Sequence, residues 1–237
     1  MRRVLNFLLF ACGLTLLALL LLAWGGYRAA RHEPEFYRRA LATRPVESGK
    51  LGDELERQVL DLRNNLQQSG RWQTVFSEEQ LNGWLAEDLP VKFPQLLPPG
   101  ARDPRVEIAD DTLRVACRFD NGQVATVVSF ALQVQLAAEP NTLAIRLSRL
   151  RAGALPIALR QVLDPVTAAA RKADIVLRWS QTGGDPVALV TVPSRHKDFV
   201  AGEIRLESVE LVDHELRISG STVPDDQSAL EPSPSGP

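Results

Sequence analysis

Apolar residues fall along this chain in three successive patterns, and each predicts a different structure. Residues 4–24 form an unbroken apolar run with no charge, in which only Asn6 and Thr15 are clearly polar. Leu51, Leu55, Val59, Leu62 and Leu66 then recur at spacings of four, four, three and four. That rhythm aligns them on one face of a helix over 51–68, which Gly70 ends. A short strand over 72–76 leads to Ser77-Glu78-Glu79-Gln80, a capping box in which the Ser77 hydroxyl accepts from the Gln80 amide while Gln80 reaches back. Leu81, Trp84, Leu85 and Leu89 make the apolar stripe of the helix it opens. Pro90, Pro94, Pro98, Pro99 and Gly100 predict a loop after it.

From residue 104 the period becomes two. Val106 and Ile108 start a strand, Asp110-Asp111 turns it, and Leu113, Val115, Cys117 and Phe119 alternate with polar or small residues. Asn121-Gly122 is a hairpin signal. Val124, Val128, Phe130, Leu132, Val134 and Leu136 share one face of the next strand. At ~3.3 Å per residue that strand runs roughly 40 Å, so it must twist and coil. Pro140-Asn141 returns the chain into Leu143, Ile145 and Leu147. Gly153 and Pro156 then predict a turn and a helix over 156–172, with Pro156 in its first turn. Strands resume over 175–179, 187–192, 204–211 and 216–218. The tail from Pro224 is Ser/Pro-rich and acidic, a composition that favours disorder.

The expected fold class is α+β: an N-terminal transmembrane helix, then a curved antiparallel β-sheet domain covered by two or three helices. The expected division is an anchor at 1–27, a stem at 28–50, a β-rich domain at 51–223 and a tail at 224–237. A one-sided sheet needs cover, and the helices at 78–89 and 156–172 are the candidates.

The run at 4–24 matches the ~20 residues needed to cross a ~30 Å hydrocarbon core. It is longer than the ~7–15 apolar residues of a cleaved signal peptide, and Leu22-Ala23-Trp24 offers no small-residue cleavage site. Trp24 and Tyr27 suit the membrane interface. An uncleaved signal anchor in the inner, cytoplasmic membrane is therefore expected, with the domain on the extracytoplasmic side. Leu9-Phe10-Ala11-Cys12-Gly13 loosely matches a lipoprotein box, but Phe10 is bulky for one and the apolar run continues over 13–23. Cys12 reads as a small residue inside a membrane helix.

Charge sharpens this division. Residues 1–50 carry eight Lys/Arg and three Asp/Glu, net +5, while 51–237 carry net −7. The basic stem suits anionic lipid head groups. The acidic remainder makes nucleic acid an unexpected partner. The two cysteines, Cys12 and Cys117, fall in different environments and form no disulfide framework or metal spacing.

Ser77-Glu78-Glu79-Gln80-Leu81-Asn82 resembles the opening helix of the YpmS-like and LmeA-like families of bacterial envelope proteins. Gly153-Ala154-Leu155-Pro156, running to Val162-Leu163-Asp164-Pro165, resembles the short segment that starts a helix after their long strands. The resemblance spans about 72–220 together with the anchor. It implies a membrane-tethered domain with a curved sheet and lipid binding, and it carries no catalytic motif across.

The chain has no nucleophile elbow, phosphate loop, dinucleotide fingerprint or His-Glu-x-x-His. Ser194-Arg195-His196-Lys197-Asp198 holds triad residue types, but triad members converge from separate parts of a fold, so a solvated loop is the reading. Asp103 with Asp110-Asp111 lacks the alternate oxygens of a calcium loop. Glu78-Glu79 favours a helix N-terminus, and Glu87-Asp88 reads as a solvated face. No cofactor, metal or catalytic residue is expected. What remains is a non-catalytic binding module for lipid or another apolar ligand. The candidate ligand-binding residues are Trp84, Phe93, Phe130, Leu132, Val134, Pro156 and Ile157. The alternative is a structural or partner-binding envelope protein with a filled core. A cavity of a few hundred Å³ separates the two readings.

Overall fold

A computed structural model of the chain describes residues 31–42, 45–122, 124–172, 175–182, 185–195 and 202–224. The expected anchor at 1–27, His196 and Asp198 of the polar loop, and the tail from 225 lie outside the described residues. Among the described residues no helix is long and apolar enough to cross a membrane.

The elements are α1 (Glu35–Leu41), α2 (Pro45–Leu66), β1 (Gly70–Ser77), α3 (Glu78–Lys92), β2 (Ala101–Ala109), β3 (Thr112–Asp120), β4 (Ala125–Leu136), β5 (Thr142–Ala152), β6 (Leu155–Pro156), α4 (Arg160–Lys172), β7 (Val176–Thr182), β8 (Asp185–Thr191), β9 (Glu203–Val212) and β10 (Glu215–Val223). The fold is α+β with antiparallel sheets. The larger sheet has the order β2-β3-β4-β5-β8-β7, with β6 paired to the end of β5.

The expectation of one sheet under helical cover is corrected here. β1, β10 and β9 make a second, three-stranded sheet, and it covers the larger one. β1 joins it across the whole domain, with Gly70 opposite Thr222 and Ser77 opposite Glu215. Such a pairing has no local signature.

Three bulges shape the sheets. In β9 the register skips Glu207 between Leu206↔Gly220 and Ser208↔Ser219. Side chains alternate with a period of two, so Ile204 and Leu206 would otherwise face away from Val209 and Leu211; the extra residue puts all four on one face. In β5 the register jumps from Ser148↔Ala131 to Arg151↔Ser129, and Arg149 takes a left-handed backbone with φ of 54°. In β2 a shift between Arg102 and Arg105 accompanies Asp103 at φ of 52°.

That last bulge seats α1. The Tyr37 hydroxyl donates to the Asp103 carbonyl at 2.8 Å, and Tyr37 is fully buried against Ala116 and Val127. Residues 35–41, read from the sequence as part of a stem, therefore pack into the folded body. Burial, helped by the nearby Asp103 charge, pushes the Tyr37 phenol up to about 12.

The capping box forms as the sequence predicts: Gln80 N donates to Ser77 Oγ at 3.1 Å and Ser77 N to Gln80 Oε1 at 3.0 Å. The helix it opens passes through Pro90 to Lys92 instead of stopping before the proline. Asn82 holds α3 to the edge of β2, since its side-chain amide donates to the Val106 carbonyl and accepts from the Val106 amide, both at 2.8 Å. The helix expected from Pro156 starts at Arg160 instead. Leu155 and Pro156 extend the sheet opposite Ala152 and Arg151, after a tight turn at Gly153 with φ of 60°.

Candidate apolar binding site

The two sheets do not close completely on each other. Between them lies a cavity of about 420 Å³ lined by apolar side chains throughout. Ile108, Leu113, Val134 and Leu143 come from the inner face of the larger sheet. Opposite them stand Trp72 of β1, Ile204, Leu206, Val209 and Leu211 of β9, and Leu216 and Ile218 of β10. Leu62 and Leu66 of α2, Leu81 of α3, and Val192 and Pro193 after β8 complete the lining.

Local sequence places each wall. Ile108 pairs with Leu113 across the β2–β3 hairpin, whose turn at Asp110-Asp111 takes positive φ at both residues. Leu113 pairs with Leu132, and Val134 lies two residues on along the same face. In the small sheet Val209 pairs with Ile218, and Leu211 with Leu216. Gly220 opposite Trp72 leaves room for the indole, because a Cβ there would stand 2.3 Å from the ring. The indole Nε1 of Trp72 is buried with no hydrogen-bond partner among the described residues.

The residues singled out from sequence are placed as follows. Val134 lines the cavity. Leu132 lies on the same face between Leu113 and Leu147 without reaching the lining. Trp84 packs on Phe93 with ring centroids 5.8 Å apart, beside α2, and Phe93 is 39% exposed. Phe130 borders a separate hollow near Arg149. Pro156 is exposed, and the Ile157 amide donates to the Leu150 carbonyl at 3.0 Å. The loop at 90–100 and the segment from Pro156 are not part of this cavity.

Sequence reasoning missed the entire small-sheet wall. Its signal was present as a change of phase: Ile204 and Leu206 at even positions, then Val209 and Leu211 at odd ones, the mark of a bulge in a one-sided strand.

Charged groups cluster outside the cavity. Glu107 is 7% exposed and is held by Arg39 at 2.8 Å and Arg114 at 2.7 Å. Glu78 accepts from the Ile108 amide and contacts His214 Nδ1, each at 2.8 Å. That contact raises the His214 pKa above its ordinary value. Burial pushes the Cys117 thiol up. Glu56, held below the usual carboxylate range by Lys92, and Asp88 share that lysine, which answers the Glu87-Asp88 pair with a structural role for Asp88.

No family model matches this chain, nor does any curated protein or any solved structure.

Proposed function

We propose that this chain is a membrane-anchored, extracytoplasmic, non-catalytic module that binds an apolar ligand such as a lipid acyl chain between its two sheets. Residues 4–24 hold it in the inner membrane, and the domain from about 34 to 223 faces away from the cytoplasm. One observation carries the ligand reading. The cavity of about 420 Å³ falls within the roughly 300–1,000 Å³ of small-molecule sites. A void lined only by hydrocarbon stays dry and favours apolar guests. Burying a methylene there contributes about 0.8 kcal/mol, so a medium-length acyl chain gains enough to bind in the micromolar range. Trp72 lines that wall, and its buried indole N–H has no hydrogen-bond partner among the described residues.

The test is organic extraction of the full chain, purified in mild detergent, followed by mass spectrometry of what it carries. Lipid retained in a fixed ratio after exhaustive detergent washing supports the reading. A chain that folds and carries none, and takes up none when offered fatty acid, returns it to the structural class.

A further inference from the structure

We infer that a basic hollow on the outer face of the larger sheet binds the phosphodiester head group of an anionic membrane lipid. The inference takes its lipid source from the anchor proposed above, but its residues are separate from the apolar cavity.

The hollow, of about 440 Å³, is lined by Arg114, Arg149 and Arg151, by Ser129, and by His32 and Phe36 on the segment entering α1. The β5 bulge creates it. An unbulged strand would send Arg149 to the same face as Leu147. The extra residue instead brings Arg149 to the side of Arg151, which pairs with Ser129. Arg149 keeps a left-handed backbone to do so. The other six non-glycine residues with positive φ are Asp, Asn or His, types that tolerate that region far better than a long side chain does. Strain of this kind gathers at functional sites.

The charges are also open. Arg114 is taken up by Glu107 and Asp110. Among the described residues, neither Arg149 nor Arg151 has a hydrogen-bond or ion-pair partner, and the Ser129 hydroxyl, in a residue 8% exposed, has none either. Two guanidinium forks beside a free hydroxyl suit a phosphate, which accepts paired N–H donors from arginine. Residues 51–237 carry net −7, so this positive hollow is local and is not a general polyanion surface.

Its position names the source. His32 lines the hollow and follows Trp24, the end of the apolar run, by eight residues. An extended chain covers at most ~3.6 Å per residue, so the hollow lies within roughly 30 Å of the bilayer edge. The phosphodiester head groups of the bilayer surface are the phosphates that the anchor holds nearest to it.

The experiment uses the full chain in a non-ionic detergent with equal amounts of phosphatidylglycerol and phosphatidylcholine, and native mass spectrometry to count each bound lipid. The expected result is a preference for phosphatidylglycerol of about tenfold, falling to near one in the Arg149→Gln/Arg151→Gln double variant and partway in Arg151→Gln. Arg178→Gln, at an exposed pair with Glu139, retains the preference. No preference in the natural chain, or full preference in both hollow variants, overturns the inference. Inorganic phosphate that displaces the lipid at equal concentration assigns the hollow to free phosphate and overturns the lipid. Val209→Trp separates the two sites. Val209→Trp is expected to lose fatty-acid uptake and keep the head-group preference; in the natural chain, preference without any uptake leaves the hollow standing alone, and uptake without preference leaves the cavity standing alone.

Discussion

The side-chain amide of Asn141 donates to the backbone carbonyl of Ile204 at 2.6 Å, tying the β4–β5 turn of the larger sheet to β9 of the smaller one. The same side chain accepts from the Leu206 amide at 2.8 Å, so it occupies the place of a strand neighbour. Ile204, Leu206 and Leu143 all line the cavity, and Asn141 therefore holds the spacing between its walls. Asn141→Ala leaves the buried Ile204 carbonyl and the partly buried Leu206 amide unpaired and puts alanine at a φ of 52°. The expected loss is about 2–4 kcal/mol in urea melts. A loss no larger than that of an exposed substitution means the sheets are held elsewhere.

The α3 start gives a graded series. Ser77→Ala is expected to cost about 1 kcal/mol as the loss of a cap. Asn82→Ala is expected to cost about 2 kcal/mol, because both backbone groups of Val106 lose their partner. Glu79 is exposed and contributes a dipole effect of a few tenths of a kcal/mol, so Glu79→Gln changes little. Equal effects for the three variants contradict the anchoring of α3 on β2.

His214 reports the β9–β10 turn. Its hydrogen bond to Glu78 raises its pKa. A raised folded pKa means stabilisation that is complete below the unfolded value near 6.5 and is lost as pH rises through the folded value. Proton NMR is expected to show His214 titrating above the ordinary histidine value, with Glu78→Gln bringing it down. Because the ring is largely exposed, high salt weakens the difference.

Tyr37 has a comparable sign at higher pH. Its phenol is pushed up to about 12, so the stability it gives is present below the unfolded pKa near 10 and disappears as pH rises through about 12. Tyr37→Phe removes the bond to Asp103 while keeping the ring, and is expected to cost about 1 kcal/mol at neutral pH. It should also flatten the alkaline part of the stability profile, measured by denaturant melts at stepped pH.

These cases mark what the sequence makes legible. The Ser77–Gln80 box, the Asp110-Asp111 turn and the β3–β4 hairpin are local, and local chemistry decides them. The face of β4 that holds Val134 follows from its period of two. The pairing of Gly70 with Thr222 depends on contacts between chain ends, which no window of sequence contains. Pro156 shows a different limit. Its fixed φ suits a helix start and an edge strand alike, and the turn at Gly153 selects the strand. Large aromatics such as Trp84 and Phe93 mark pockets and cores alike in a sequence; in the fold these two pack on each other and cover the α2–α3 corner.

If the gap between the sheets receives an apolar guest, a probe sensitive to apolar surroundings reports it. The most direct measurement is fluorescence titration of the full chain with a solvatochromic fatty acid, alongside Val209→Trp. Val209 lies in the cavity wall, and an indole there fills empty space, so folding is retained at a cost of about 1–3 kcal/mol or less. A saturable blue shift with micromolar affinity is expected in the natural chain, and its loss in the folded Val209→Trp variant. The same shift, at the same affinity, in both proteins would contradict it.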